Sequence, residues 1–284
     1  MSPRRRVTLR AQWLGQQLRE LREANGLTLS DAADYLQRNQ ATVGRFETAE
    51  YPIRRPDVMA LLDLYGVSDG QQRTALMKLS EDVWQKGWWD GYADEVAGWF
   101  VDYVWVESRA TEIRSFDDTL LPGLLQTPRY AEAAIRAADP EASADQVARW
   151  IELRMTRQQV LAGEDPPQLM AILDEALLHR LVGGPEVIRE QLLHLVACAN
   201  LSNIQMRLLP FRTGAHASPS GAFKLFTMAD PYPEVAYAET PAGAIYVETP
   251  DTDRFEKTYD RMWKATLGAA ESAELISATA EGLQ

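Results

Sequence analysis

The stretch RNQATVGRFETAE, residues 38–50, carries side chains suited to reading the edges of nucleic-acid bases. Wound as a helix, it buries Val43 and Phe46 and turns Gln40, Ala41, Thr42 and Arg45 outward. Glutamine bonds bidentately to adenine and arginine to guanine, while Ala or the Thr methyl touches a thymine methyl. Gly44 sits in the middle of this helix, where it costs about 1 kcal/mol in propensity relative to alanine.

Other chemistries find less support. His179, His194 and His216 have no cysteine or carboxylate at metal-ligand spacing. There is no G-x-S-x-G elbow, P-loop or G-x-G-x-x-G run. LVGGPE (181–186) reads either as a phosphate cradle or as a boundary between helices. Asp174 and Glu175 follow an apolar run, but no acid, base or metal ligand accompanies them. The expectation is therefore no catalytic residue, no metal, no cofactor and no enzymatic activity. The single cysteine, Cys198, lies in an apolar run, so no intrachain disulfide forms and a reducing compartment fits.

Five short helices are expected to position the reading stretch. WLGQQLRELREAN places Trp13, Leu14, Leu18 and Leu21 at helical spacing and stops at Gly26. Thr28 heads the next helix, with Asp31 three residues on as its capping-box partner, and Asn39 heads the third. LQRN makes the turn between them, and the small Ala33 allows a close crossing. Pro56 falls in the first turn of the fourth helix, and DGQQRTALMKLSEDVWQK forms a fifth that leads out of the domain.

Charge divides the same way. Residues 1–60 hold ten Arg and seven Asp or Glu, a net of +3, while the remainder holds 19 basic and 34 acidic residues, a net of −15. A nucleic-acid head on an acidic body has this asymmetry. No run approaches the roughly 18 apolar residues of a membrane helix. The basic start, MSPRRRVTLR, is followed by an amphipathic charged segment instead of a signal-type apolar region, which predicts a cytoplasmic protein with a short basic arm.

Beyond residue 87 the character changes. Trp88, Trp89, Trp99 and Trp105 cluster there, either as a hydrophobic joint or, with Tyr103, as a pocket or docking groove. In LLPGLLQTPRY, Thr127 caps a helix with Pro128 at its first position. Leu124, Leu125, Gln126 and Tyr130 there form either the structural start of that helix or a lip for a partner or effector. Helices are expected at 127–138, 143–162, 251–268 and 271–282. Strand-like runs at 168–173, 203–211, 222–228, 234–240 and 243–249 suggest an antiparallel meander with a hairpin at Pro241-Ala242-Gly243. The fold class is α+β: an all-α helix-turn-helix head and a body of helices around a mainly antiparallel sheet.

Residues 13–66 resemble the Cro/repressor (XRE-type) helix-turn-helix family along the gapless run LRELREANGLTLSDAADYLQRNQATVGRFETAE. The resemblance implies a structural ion pair between Arg22 and Glu47. It also implies base contacts from Gln40, Ala41, Thr42 and Arg45 in the major groove. Phosphate contacts fall to Thr28, Arg38, Asn39, Arg54 and Arg55, with additional contacts from Arg4, Arg5 and Arg6 of the arm. Leu29 departs from the pattern, since many members carry Gln there.

Beyond residue 87 the chain looks like the C-terminal domain of WhiJ-like, antitoxin-like actinobacterial regulators. KGWWDGYADEVAGWFVDYVWVES, LLPGLLQTPRYAEA, RMTRQQVL and QMRLLPFRTGAHASPSGAFKLF carry the likeness. The resemblances together imply a sequence-specific transcriptional regulator that binds a double-stranded operator as a homodimer. Its C-terminal domain would sense an effector or bind a small protein encoded by a neighbouring gene. The alternative is an antitoxin-type protein that sequesters the partner and autoregulates. The expected organisation is an arm over 1–11, the head over 12–68, a connecting helix over 69–86 and a regulatory domain over 87–284.

Overall fold

The computed structural model describes residues 7–92 and 95–283. Arg4, Arg5 and Arg6 of the expected arm lie outside these residues. The chain forms two compact units: the first runs to Asp102 and includes Asp230–Tyr232, and the second takes the rest from Tyr103. The division therefore falls later than the expected boundary at 86/87.

The first unit is helical: α1 (Leu9–Ala24), α2 (Leu29–Leu36), α3 (Gln40–Glu47), α4 (Arg55–Leu64) and α5 (Gly70–Asp82), then a 3-10 turn at Trp88–Tyr92. Its core gathers Trp13, Leu14, Leu18, Ala32, Ala33, Val43, Val58, Leu61, Leu62 and Tyr65. The apolar positions expected of the first and fourth helices are thus mostly inside. The fifth helix does not lead out of this unit, because Leu76 and Leu79, three residues apart, bury one face of α5 against α1 and α4. Asp69 caps it, accepting from the backbone N–H groups of Gln71 and Gln72.

α6 (Gly98–Arg109) contains the division between units and runs directly into β1 (Ala110–Asp117). The second unit is built on a six-stranded sheet with β2 (Gln168–Asp174), β3 (Ile204–Leu209), β4 (Phe223–Met228), β5 (Val235–Thr240) and β6 (Gly243–Glu248). Its order is β3-β2-β1-β4-β5-β6. Between β1 and β2 come α7 (Pro128–Ala138) and α8 (Ala144–Gln158). Between β2 and β3 come α9 (Ala176–His179) and α10 (Pro185–Cys198).

The sheet is mainly antiparallel, but two pairings are parallel: Ile113 opposite Leu169, and Leu169 opposite Ile204. The mainly antiparallel sheet is as expected, but of the runs read as an antiparallel meander only β4–β6 form one, while β2 and β3 pair in parallel. Helical crossovers return the chain to the same end of the sheet, which makes the strands they join parallel. The hairpin between β5 and β6 turns at Pro241-Ala242, with Thr240 opposite Gly243.

α11 (Asp253–Ala265) lays Tyr259 and Met262 on Phe116, Ile172, Leu225 and Ala236 of the sheet. α12 (Ala269–Gly282) packs on α10 and along β3. There Leu208 N–H donates to Ser272 Oγ at 2.9 Å, and Leu208 O accepts from Leu267 N–H at 2.9 Å, covering that edge of the sheet. Among the described residues no helix is long and apolar enough to cross a membrane.

Candidate nucleic-acid interface

Each end of α3 is fixed by its own sequence. Asn39 Oδ1 accepts from Thr42 N–H at 2.7 Å and from the Thr42 hydroxyl at 2.8 Å, capping the first turn. The preceding turn needs a left-handed residue, supplied by Gln37 at φ 54°, and Arg38 N–H then reaches Ala33 O at 2.9 Å. Ala32 and Ala33 are fully buried where α2 meets α3.

At the other end, Glu47 takes a bidentate contact from Arg22, Nε at 2.6 Å and a terminal nitrogen at 2.9 Å. Arg22 also donates to Leu27 O at 2.8 Å. The hydrogen bond to Glu47 raises the Arg22 pKa against the opposing effect of burial. Such a pair mainly fixes geometry, since desolvation offsets much of its attraction.

Gly15 completes the clamp. A Cβ there would stand 2.5 Å from Glu47 O and 2.7 Å from Phe46 O, so α1 crosses the end of α3 at backbone distance. Nothing in the sequence around Gly15 signals this, because its neighbour is more than thirty positions away. Gly44 is the opposite case: an added Cβ would meet only Leu29 Cδ1, at 3.9 Å.

With Val43 and Phe46 inside, Gln40, Ala41 and Arg45 are exposed and Thr42 is half-buried. The four therefore lie on the outward side of α3. The Arg45 guanidinium sits 5.4 Å from the ring of exposed Tyr51, a contact the sequence reading missed. Beside them is a concavity of about 470 Å³ lined by Arg38, Asn39, Thr42, Tyr51, Arg54 and Asp57.

The flanking set is uneven. Arg38 and Arg54 are exposed at the concavity, with Arg38 3.7 Å from Asp57. Arg55 points to Glu81 at 3.0 Å, an exposed pair of small energetic weight. Thr28 is engaged as the expected capping box: its N–H and hydroxyl both donate to Asp31 at 2.7 Å, and these bonds lower the Asp31 pKa, which places a carboxylate beside the position expected to contact phosphate.

The expected partner or effector residues are placed differently. In the first unit, Trp88 meets Trp89 edge-on at 5.8 Å and Trp99 meets Phe100 at 5.9 Å; Trp89 is buried and Trp88 is 40% exposed. In the second unit, Tyr103 is buried against Phe226 and Tyr237. Leu124, Leu125, Gln126 and Tyr130 are all buried and form no exposed lip. They are drawn inward because the 3-10 turn at Gly123–Leu125 packs on α8 and α10. Among the described residues no group of three or more His, Cys, Asp or Glu is placed to hold a metal ion.

Comparison with known protein families returns two matches. Residues 13–76 match the helix-turn-helix domain model, and residues 100–278 match a domain of unknown function, DUF5753. No curated protein and no solved structure matches the chain. Both family boundaries agree with the structure: the first match extends into α5, and the second begins close to the division at Asp102.

Proposed function

The chain belongs to the DUF5753 family, and from its helix-turn-helix match and the geometry of α3 we propose that it is a DNA-binding transcription regulator whose helix-turn-helix domain reads the major groove through α3. The observation that carries this reading is the two-sided character of α3. Val43 and Phe46 anchor it, Asn39 and the Glu47–Arg22 pair fix its ends, and Gln40, Ala41, Thr42 and Arg45 face outward together. Arg38 and Arg54 beside them supply positive charge for phosphates, which sets register without reading sequence.

The finer reading is an XRE-type head on a WhiJ-like body, acting as a dimer on two half-sites about 34–36 Å apart. The gapless motif order of residues 13–66 supports the first part. The second unit responds to an effector or a small partner protein. Its net negative charge disfavours DNA contact and leaves the groove to the first unit.

Selection of the full chain against a random duplex pool tests the proposal. It predicts enrichment of one motif, arranged as two half-sites. Binding that stays uniform across sequences and disappears with salt would reject it.

A further inference from the structure

Residues 121–127, the LPGLLQT run, are held by three glutamine amides. Gln126 Nε2 donates to Leu121 O at 2.6 Å, and Leu121 N–H donates to the Tyr130 hydroxyl at 3.2 Å. Gln158 Nε2 donates to Gly123 O at 3.0 Å and to Gln126 O at 2.7 Å. Gln191 accepts from Thr127 N–H at 2.6 Å and donates to Leu125 O at 2.7 Å. So many side-chain bonds to one short segment leave the Gln126 amide little freedom. Its Oε1 accepts from Arg154 at 2.6 Å.

Arg154 and Arg157 lie one turn apart on α8, and their electrostatic situations differ. Arg157 is neutralised by Glu107 through two bonds of 2.8 Å, and Glu107 also accepts from Tyr103 at 2.9 Å. Lys224 stands 4.0 Å from Asp117. Arg154 has no carboxylate within ion-pair distance among the described residues; its one hydrogen-bond partner there is the uncharged Gln126 amide. Burial and the neighbouring Arg157 charge lower its pKa to about 10, outweighing the opposing attraction of the more distant Glu239 carboxylate.

A neutral acceptor orients a guanidinium without cancelling its charge. Most of the five donors of Arg154 have no hydrogen-bond partner among the described residues, and the side chain, though mostly buried, keeps some exposure to solvent. A partly desolvated cation beside a second cation gains most from an anion that accepts two parallel bonds.

We propose that Arg154 anchors an oxyanion-binding site in the second unit, taking the carboxylate or phosphate group of a small molecule while Gln126 holds the guanidinium in place. The link from this site to DNA rests on the reading of the second unit as effector-responsive. Binding itself is tested without DNA, so the two readings fail separately.

The test uses the full chain in calorimetric titrations with inorganic phosphate and with benzoate, at constant ionic strength set by chloride. Saturable binding of at least one probe is expected; the stronger binder identifies phosphate or carboxylate as the preferred group. Arg154→Met should weaken it by about tenfold or more, the loss of one charge-assisted contact. Arg38→Gln/Arg54→Gln should leave it unchanged, which separates the site from the DNA-facing cations. Arg154→Lys keeps the charge but not the planar fork, and should bind severalfold more weakly while melting like the wild type. It serves as the decisive variant if Arg154→Met misfolds. No saturable binding of either probe, wild-type binding by Arg154→Met or Arg154→Lys, or loss confined to the Arg38/Arg54 variant would overturn the proposal.

Discussion

Gly15→Ala isolates the contact that sets the position of α3. The added methyl would lie 2.5 Å from Glu47 O, whereas ordinary contact begins at 3.4 Å, so the helices must part by about 0.9 Å. Both sides of the clash are backbone, and no side-chain rotation relieves it. Overpacking costs about 1–3 kcal/mol, and a clash with backbone on both sides belongs in the upper part of that range, about 2–3 kcal/mol, against about 1 kcal/mol gained in helix propensity. The net expectation is a loss of about 1–2 kcal/mol in the first unit. Gly44→Ala is the internal control: its methyl finds space, with Leu29 Cδ1 at 3.9 Å, so it should gain up to about 1 kcal/mol. A two-unit chain need not unfold in one step, so amide exchange followed peptide by peptide is the appropriate assay. Protected amides of α1 and α3 should exchange about fivefold to thirtyfold faster in Gly15→Ala, and more slowly than wild type in Gly44→Ala. Unchanged or slower exchange in Gly15→Ala would refute the close-crossing argument.

Three further outcomes follow from the charges. Glu107→Gln leaves Arg157 buried beside a neutral group and should destabilise the second unit by about 3–5 kcal/mol, read as a fall in its melting temperature. Burial, then the Glu256 carboxyl beside it, pushes Glu234 up to about 7. Its folded form thus holds a proton that the unfolded chain releases near 4.5, and stability should fall as pH rises from about 4.5 through 7. Discounted for partial exposure this amounts to roughly 1 kcal/mol, and Glu234→Gln should flatten the melting-temperature profile between pH 5 and pH 8 relative to wild type. Asp57→Asn removes the carboxylate 3.7 Å from Arg38 and should tighten nonspecific duplex binding severalfold at low salt, with a steeper salt slope in a fluorescence titration.

Local signals in the sequence translated well into structure. Thr28 with Asp31, Asn39, Thr127 with Pro128, and Ser143 all cap the helices their residue types announce. Each is decided within four residues, so no distant partner is needed. β1 was not legible, because the apolar positions of α6 run into it without a glycine or proline to mark the change. The parallel pairing of β1, β2 and β3 depends on how intervening helices return the chain, which residue alternation does not encode.

The candidate sites divide in the same way. The outward row on α3 follows from helical periodicity once Val43 and Phe46 are placed inside. The hold on Arg154 combines α8 with Gln126, twenty-eight positions apart, and the RMTR spacing signals nothing until Glu107 is seen to neutralise only Arg157. Gln126 itself, which the sequence left open as part of an exposed lip, is buried because its amide is used twice inside the second unit. Thr28 was legible as a cap, and the Asp31 carboxylate accepts from both its N–H and its hydroxyl.

The central claim is that α3 reads bases through Gln40 and Arg45. It is tested most directly by measuring the affinity of wild type, Gln40→Ala and Arg45→Ala for the selected duplex and for each of its single-base substitutions, at one fixed salt concentration. Each variant should lose discrimination at one base position per half-site, by about 1–3 kcal/mol, and keep it elsewhere. Base preferences that survive both substitutions unchanged would contradict the account.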